Sequence, residues 1–354
     1  MKPRLAFLSA AEIAIPCLEF LRNDPTVTLC GIITQPERAR GRGQTVSLNP
    51  IGAWAQMHDL PFYQAETMDD RAYDWLKQMQ PDLILVMAFG HILEKRFLEL
   101  PPLGMWNLHV SLLPKYRGAS PIQTALLNGD TETGVTLMSM VEAMDAGSWL
   151  SQQMVTIAST DTAVTLKEKL ARTSATLLRS SLPKLLSGNY TLTPQNESNV
   201  SYCKKIAKSD GCLDFSKSAI QLERCIRAYQ PWPGAYFFKN NERYLVRQAH
   251  VITGEVSKNA PPASGLIKRK PLHDGDMTKN CRAIVEFSAF NSANSTYGVF
   301  LTNSNHTLLA VTTSSGLLAI DCIQKASGKP MGAAEFLRGN RSFPDAEVKF
   351  FVDA

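Results

Sequence analysis

The sequence predicts an α/β fold: a Rossmann-like, doubly wound, mostly parallel sheet, followed by a small β-barrel of the oligonucleotide-binding (OB) kind. Three observations predict it. Over the first two hundred residues, short β-rich runs alternate with stretches of helical periodicity, which is how strand–helix–strand units read. One of those runs, Asp82 to Met87, is apolar from its second residue onward and bounded by Pro81 and Gly90, as a strand covered on both faces must be. From about residue 207 the pattern changes to short alternating runs separated by turn residues, the signature of a barrel.

The elements follow in order. Leu5 to Ser9 reads as a strand, Ile13 to Arg22 as a helix turning Cys17, Leu18 and Leu21 inward, and Val27 to Thr34 as a second strand. Further strands fall at Met105 to Val110 and Val135 to Val141. Helices fit at Pro50 to His58, Asp69 to Gln80, Pro121 to Asn128 and Thr162 to Leu186, the last with Thr162 as N-cap and Gly188 as stop. Residues 1–188 therefore form one domain, and the polar stretch 189–206, with Pro194 inside it, reads as a linker. In 207–354 a helix is expected at Ala219 to Tyr229, with strands at Ala235 to Phe238, Arg243 to Ile252, Arg282 to Phe287, Val299 to Thr302 and Thr307 to Val311. Ser257 to Asn280, rich in Pro, Gly and Lys, reads as a long surface insertion.

Composition bounds what the chain can be. Its 354 residues suit two domains, and an apolar fraction of 44% is ordinary for packed cores. No apolar stretch approaches the ~20 residues that span a bilayer. Glu12 and Glu19 interrupt the only run that resembles a secretion signal. Seven cysteines without a C-x-x-C argue against a disulfide framework or a zinc site, so a reducing cytoplasm and no metal are expected. The turn after the first strand, Ser9-Ala10-Ala11-Glu12, lacks the glycines of a dinucleotide site, and there is no P-loop. Residues 1–206 carry 19 Lys+Arg and 19 Asp+Glu, while 207–354 carry 18 against 13. The whole net charge of +5 thus lies in the second part, which fits a polyanionic partner or simply a basic solvated surface.

The chemistry centres on Trp106 to Ser120. Asn107, His109 and Ser111 alternate, so a strand there puts an amide, an imidazole and a hydroxyl on one face, and Leu108 and Val110 on the other. Acyl transfer to an amine needs an oxyanion donor and a route for a proton, which Asn107 and His109 can supply. The missing carboxylate is Asp145, just beyond the strand ending at Val141 and before the turn-permitting Gly147. Neighbouring parallel strands end on the same side of a sheet, so the loops after these two are expected to meet, and Asp145 can then raise the basicity of His109 by charge pairing and help take the amine's proton. The alternative is that each of the three merely caps or hydrogen-bonds structure. Thr34 to Gln44 is a basic, glycine-rich loop in which Arg38, Arg40 and Arg42 are free to reach phosphates, or simply to be solvated. Lys204, Lys205 and Lys208 lie at the linker's exit.

Asn107 to Leu137 (NLHVSLLPKYRGASPIQTALLNGDTETGVTL), followed by Met144-Asp145-Ala146-Gly147, resembles the folate-dependent formyltransferases. The resemblance implies that Asn107, His109 and Asp145 are the catalytic trio and that Ser111, Leu112, Leu113 and Pro114 contact tetrahydrofolate. It further implies a pterin slot formed by Met87, Phe89, Gly90, Val141 and Met144, with 10-formyltetrahydrofolate as formyl donor and no metal. TQPERARGRG (34–43), KIAKSDGCLDFSKSA (205–219), IRAYQPWPGAY (226–236) and AAEFLRG (333–339) are similar to the branch that formylates methionyl initiator tRNA. That similarity implies tRNA contacts by Arg38, Arg40, Arg42, Lys204, Lys205 and Lys208, with Arg42 entering the acceptor stem, and a cytoplasmic monomer. A formyltransferase acting on an aminosugar nucleotide is the alternative enzyme, and a nucleic-acid-binding protein with an inactive core the alternative of another class. Val110 stands where the family usually has Pro, Val141 where it commonly has an acid, and Ser9-Ala10-Ala11-Glu12 where it has Gly-Thr-Pro-Glu. None of these removes a reacting group, so altered loop packing rather than lost activity is expected.

Overall fold

The computed structural model describes residues 1–40, 45–252, 297–303 and 305–347. The expected strand Arg282 to Phe287 and the insertion Ser257 to Asn280 lie outside these residues. The chain divides into two units, Met1–Ile206 and Ala207–Ala354.

In chain order the first unit contains β1 (Arg4–Leu8), α1 (Ile15–Asn23), β2 (Thr28–Thr34), β3 (Arg38–Arg40), β4 (Thr45–Ser47), α2 (Pro50–Met57), β5 (Phe62–Gln64), α3 (Asp70–Gln78), β6 (Leu83–Val86) and α4 (Lys95–Leu98). It continues through β7 (Met105–His109), β8 (Arg117–Gly118), α5 (Pro121–Asn128), β9 (Glu132–Ser139), β10 (Trp149–Thr156), α6 (Ala163–Ser187) and β11 (Tyr202–Cys203). Seven strands form the main sheet in the order β10-β9-β7-β6-β1-β2-β5. The pairs from β7 to β5 are parallel, as the fold class predicts. Leu5, Leu8, Leu83 and Leu85 are completely buried, which explains why β1 and β6 read as continuous apolar runs.

Helix ends follow local chemistry. The Asn49 side chain accepts from the amides of Ile51 and Gly52 at the start of α2, and Pro121 occupies the first position of α5, where its missing N–H costs nothing. Thr162 and Thr165 cap each other at the start of α6, and Gly188 ends that helix in the left-handed region at φ 67°. Along α6, Leu166, Leu170, Leu177, Leu178, Leu182 and Leu185 form the buried stripe that seats it on the sheet.

Two expectations need correction. β9 pairs antiparallel, not parallel, with β7, through Trp106↔Ser139, Asn107↔Met138, Leu108↔Leu137 and His109↔Thr136. β9 therefore ends beside the start of β7, and Asp145 is not delivered by two parallel strand ends. The stretch 189–206 is also no free linker. Thr193 exchanges both main-chain hydrogen bonds with Trp149, and β11 pairs with β8. Part of its polar composition goes into hydrogen bonds with the rest of the first unit.

The second unit contains α7 (Ala219–Ala228), β12 (Ala235–Lys239), β13 (Glu242–Ile252), β14 (Phe300–Thr302), β15 (Leu309–Thr312), β16 (Leu317–Lys325), β17 (Met331–Gly332), α8 (Ala333–Gly339) and β18 (Ala346–Glu347). Its sheet runs β12-β13-β16-β15-β14-β18, antiparallel except for β14–β18, and curls as a half-barrel. Phe237, Tyr244, Phe300 and Phe343 meet in its core with Leu222 and Ile226 of α7. No helix among the described residues is long and apolar enough to cross a membrane.

Candidate active site

The period of two along β7 places Asn107 and His109 on one side of the strand and leaves Leu108, 1% exposed, on the other. Asp145 arrives from the loop after β9. That loop doubles back because Gly147 lies flat against the end of β9, where a Cβ would stand 1.7 Å from the Ser139 carbonyl oxygen. Asp145 itself takes a left-handed φ of 51°.

Its carboxylate is the hub of the site. One oxygen, Oδ1, accepts from Asn107 Nδ2 at 3.3 Å, and the other, Oδ2, accepts from the Gly118 main-chain N–H at 2.8 Å. His109 Nδ1 lies 3.6 Å from Oδ2, while its Nε2 lies 2.9 Å from the Tyr116 carbonyl oxygen. The Tyr116 carbonyl can only accept, so Nε2 carries the hydrogen in that bond, while Nδ1 faces the Asp145 carboxylate beyond hydrogen-bond distance. His109 is 6% exposed and Asn107 half-buried, so the amide and imidazole sit at the edge of the buried core.

The structure thus brings Asn107, His109 and Asp145 together. Ser111 is treated differently: it is fully buried and its hydroxyl donates to the Lys115 carbonyl at 2.5 Å, closing a turn. Leu113 is buried too, its N–H donating to Thr136 Oγ1 at 3.1 Å and its carbonyl accepting from Gln152 at 2.8 Å, while Leu112 and Pro114 are half-buried. Across the sheet edge, Met87 and Phe89 are buried, and Ala88 and Gly90 present main chain at positive φ of 48° and 79°. Val141 and Met144 are exposed on the loop that carries Asp145. Arg38 and Arg40 lie on β3, which pairs antiparallel with β4, so part of the expected loop is a β-ribbon; Arg42 lies outside the described residues. Lys204, Lys205 and Lys208 are exposed.

Sequence reasoning missed Gly118, Tyr116, Arg117 and Gln195. Gly118, at φ 121°, carries the amide that meets Asp145, and the only sequence signal was a glycine in the loop after the Asn-x-His strand. Tyr116 donates from Oη to Asp130 at 2.7 Å, and burial pushes its phenol up to about 12, so it is a fixed neutral donor. Burial likewise raises the Cys203 thiol against the hydrogen bonds from Ser120, with the nearby Asp145 charge adding to the rise. Among the described residues, no three His, Cys, Asp or Glu side chains are placed to hold a metal ion.

Such an arrangement suits acyl transfer: an amide N–H for an oxyanion, an imidazole and carboxylate for a proton, and main chain at the sheet edge for a planar ligand. Comparison with known proteins agrees with this chemistry. Residues 9–182 match the formyl transferase family and 205–341 its C-terminal domain. Methionyl-tRNA formyltransferase from Chloroflexus aggregans is 35% identical over 337 residues, 95% of this chain and 97% of that one. Its counterpart from Halorhodospira halophila is 32% identical over 99% of this chain and 100% of its own. Among solved structures, the N-formyltransferase of Helicobacter canadensis in complex with folinic acid and dTDP-3-aminofucose superposes with a TM-score of 0.58. That alignment has 20% identity and covers 91% of this chain and 99% of that one. By sequence over nearly its whole length, and by fold, the chain belongs to the formyl transferase family.

Proposed function

We propose that this chain transfers the formyl group of 10-formyltetrahydrofolate to the α-amine of methionyl initiator tRNA, giving N-formylmethionyl-tRNA. The observation that carries the chemistry is the convergence of Asn107, His109 and Gly118 on one Asp145 carboxylate. Near-full-length similarity to methionyl-tRNA formyltransferases supports the acceptor.

In this reading the methionyl amine attacks the formyl carbon, forming the new C–N bond and moving the carbonyl electron pair onto oxygen. The Asn107 amide and the protonated His109 ring stabilise that oxyanion. Asp145 orients both and assists loss of the amine's proton. The oxyanion then re-forms the carbonyl, the bond to N10 breaks and N10 takes up a proton, releasing tetrahydrofolate. The exposed main chain at Ala88 and Gly90 and the loop bearing Val141 and Met144 suit the amide-like edge of a pterin. The buried Ser111 and Leu113 shape the slot from behind, and Leu112 and Pro114 are the members of that segment with surface toward solvent. Residues 207–354 serve as the tRNA-binding domain, together with Lys204, Lys205, Lys208, the β3 residues Arg38 and Arg40, and Arg42. We take the enzyme to act as a cytoplasmic monomer.

Incubation of the purified protein with 10-formyltetrahydrofolate and either charged initiator tRNA or an aminosugar nucleotide tests this. Formylmethionyl-tRNA is the expected product. A formylated sugar and unmodified tRNA would replace this reading with the aminosugar one, and no product with either acceptor would leave a binding protein with an inactive core.

A further inference from the structure

The Asp145 loop is held from behind by a side chain that touches none of the reacting groups. Gln195 Nε2 donates to the main-chain carbonyls of Asp145 and Gly147, both at 2.8 Å. Gln195 Oε1 accepts from Arg117 Nε at 3.0 Å and Nη2 at 2.9 Å. The orientation of the amide is therefore fixed by its partners, since carbonyls only accept and a guanidinium only donates. Arg117 is 3% exposed, and its Nη2 also donates to Glu197 Oε1 at 2.8 Å.

The circuit closes on the site. Arg117 lies between Tyr116, whose carbonyl faces His109, and Gly118, whose N–H meets Asp145. Gln195 is itself anchored on both sides, by the Thr193–Trp149 exchange and by the Arg117 N–H donating to the Ser201 carbonyl at 2.9 Å. Asp145 needs such a hold, because a non-glycine residue at φ 51° persists only where its surroundings impose the conformation.

We infer that Gln195 is a positioning residue: it clamps the main chain of the 145–147 loop to Arg117 and so keeps the Asp145 carboxylate in reach of Asn107, His109 and Gly118. Its consequence for turnover rests on the formyl-transfer reading, whereas the clamp itself does not. Gln195→Glu separates the two ends of the amide. It retains acceptors for Arg117, now as a charged pair, but sets a carboxylate oxygen against two carbonyls, so the grip on the loop is lost while the hold on Arg117 is kept.

The test compares Gln195→Glu, Glu197→Gln and wild type by steady-state kinetics and by the NMR shift of the Gly118 amide proton. A misplacement of about 1 Å can cost on the order of 100-fold. Gln195→Glu should accordingly lower kcat by about tenfold or more at unchanged KM for the formyl donor, and the Gly118 amide should move upfield as its bond to Asp145 loosens. Glu197→Gln, which leaves Gln195 on Arg117, should keep both the rate and the shift. A wild-type kcat and unmoved Gly118 amide in Gln195→Glu would overturn the clamp, as would an equal loss in Glu197→Gln. If wild type formylates no acceptor, the functional reading fails while the amide shift still decides the clamp.

Discussion

Asp145 accepts a 2.8 Å hydrogen bond from the main-chain amide of Gly118, a residue 27 positions earlier in the chain. The amide is available because Gly118 adopts φ 121° beside β11, where a Cβ would stand 2.4 Å from the Cys203 carbonyl oxygen. Gly118→Ala should therefore cost about 1–3 kcal/mol of stability. Because the amide is displaced with the strand, kcat should also fall by about tenfold or more. Thermal melts and turnover of the same preparation check both, and a wild-type rate would show that this amide is dispensable.

Asn107 donates to the same carboxylate from β7, and it is half-buried rather than a core residue. Asn107→Ala should lose roughly 100-fold in kcat with little change in melting temperature, as expected when one oxyanion donor is removed. A large drop in melting temperature with modest kinetic loss would reassign Asn107 to structure.

Asn107 and His109 were legible as neighbours because a strand's period of two puts them on one side, whereas Asp145 was joined to them by the family resemblance and by a parallel pairing that β9 does not make. The direction of β9 was not legible. Residues 133–138 are buried on both faces, as a parallel strand would be, and nothing in such a run encodes polarity. β10 was invisible for the opposite reason: at the sheet edge, Trp149–Thr156 is half-exposed to exposed throughout, and its apolar residues fall in two adjacent pairs with no period of two. Gly118 and Gln195 were out of reach because they act through main-chain hydrogen bonds 27 and 50 residues distant in sequence. A polar stretch such as 189–206 looks the same whether it is solvated or bonded.

A pH effect on stability is expected from Asp161, near the start of α6. Burial pushes its carboxyl up, but Lys169, the Ala158 amide and the Thr165 hydroxyl outweigh it and hold it below the usual carboxylate value. A depressed folded pKa means stabilisation that is full above the unfolded value and lost as pH falls through the folded one. Asp161→Asn should melt lower than wild type at pH 7, and the gap should close below about pH 4. A gap independent of pH would rule out the ionised form as its source.

Lys204, Lys205 and Lys208 are exposed, and each phosphate they neutralise should steepen the salt dependence of tRNA binding. Replacing all three by Gln should weaken binding and reduce the slope of log K against log salt by about 0.9 for each duplex phosphate that is no longer neutralised. An unchanged slope in a salt titration would remove these lysines from the tRNA surface.

The most direct test of the account is the single-turnover rate of formyl transfer to methionyl initiator tRNA by Asp145→Asn. The variant side chain can still accept from Gly118 through its oxygen, but it has no negative charge to set against the His109 ring or to help take the amine's proton. The account predicts a rate lower by about 100-fold or more, with affinity for 10-formyltetrahydrofolate retained. A wild-type single-turnover rate would contradict it.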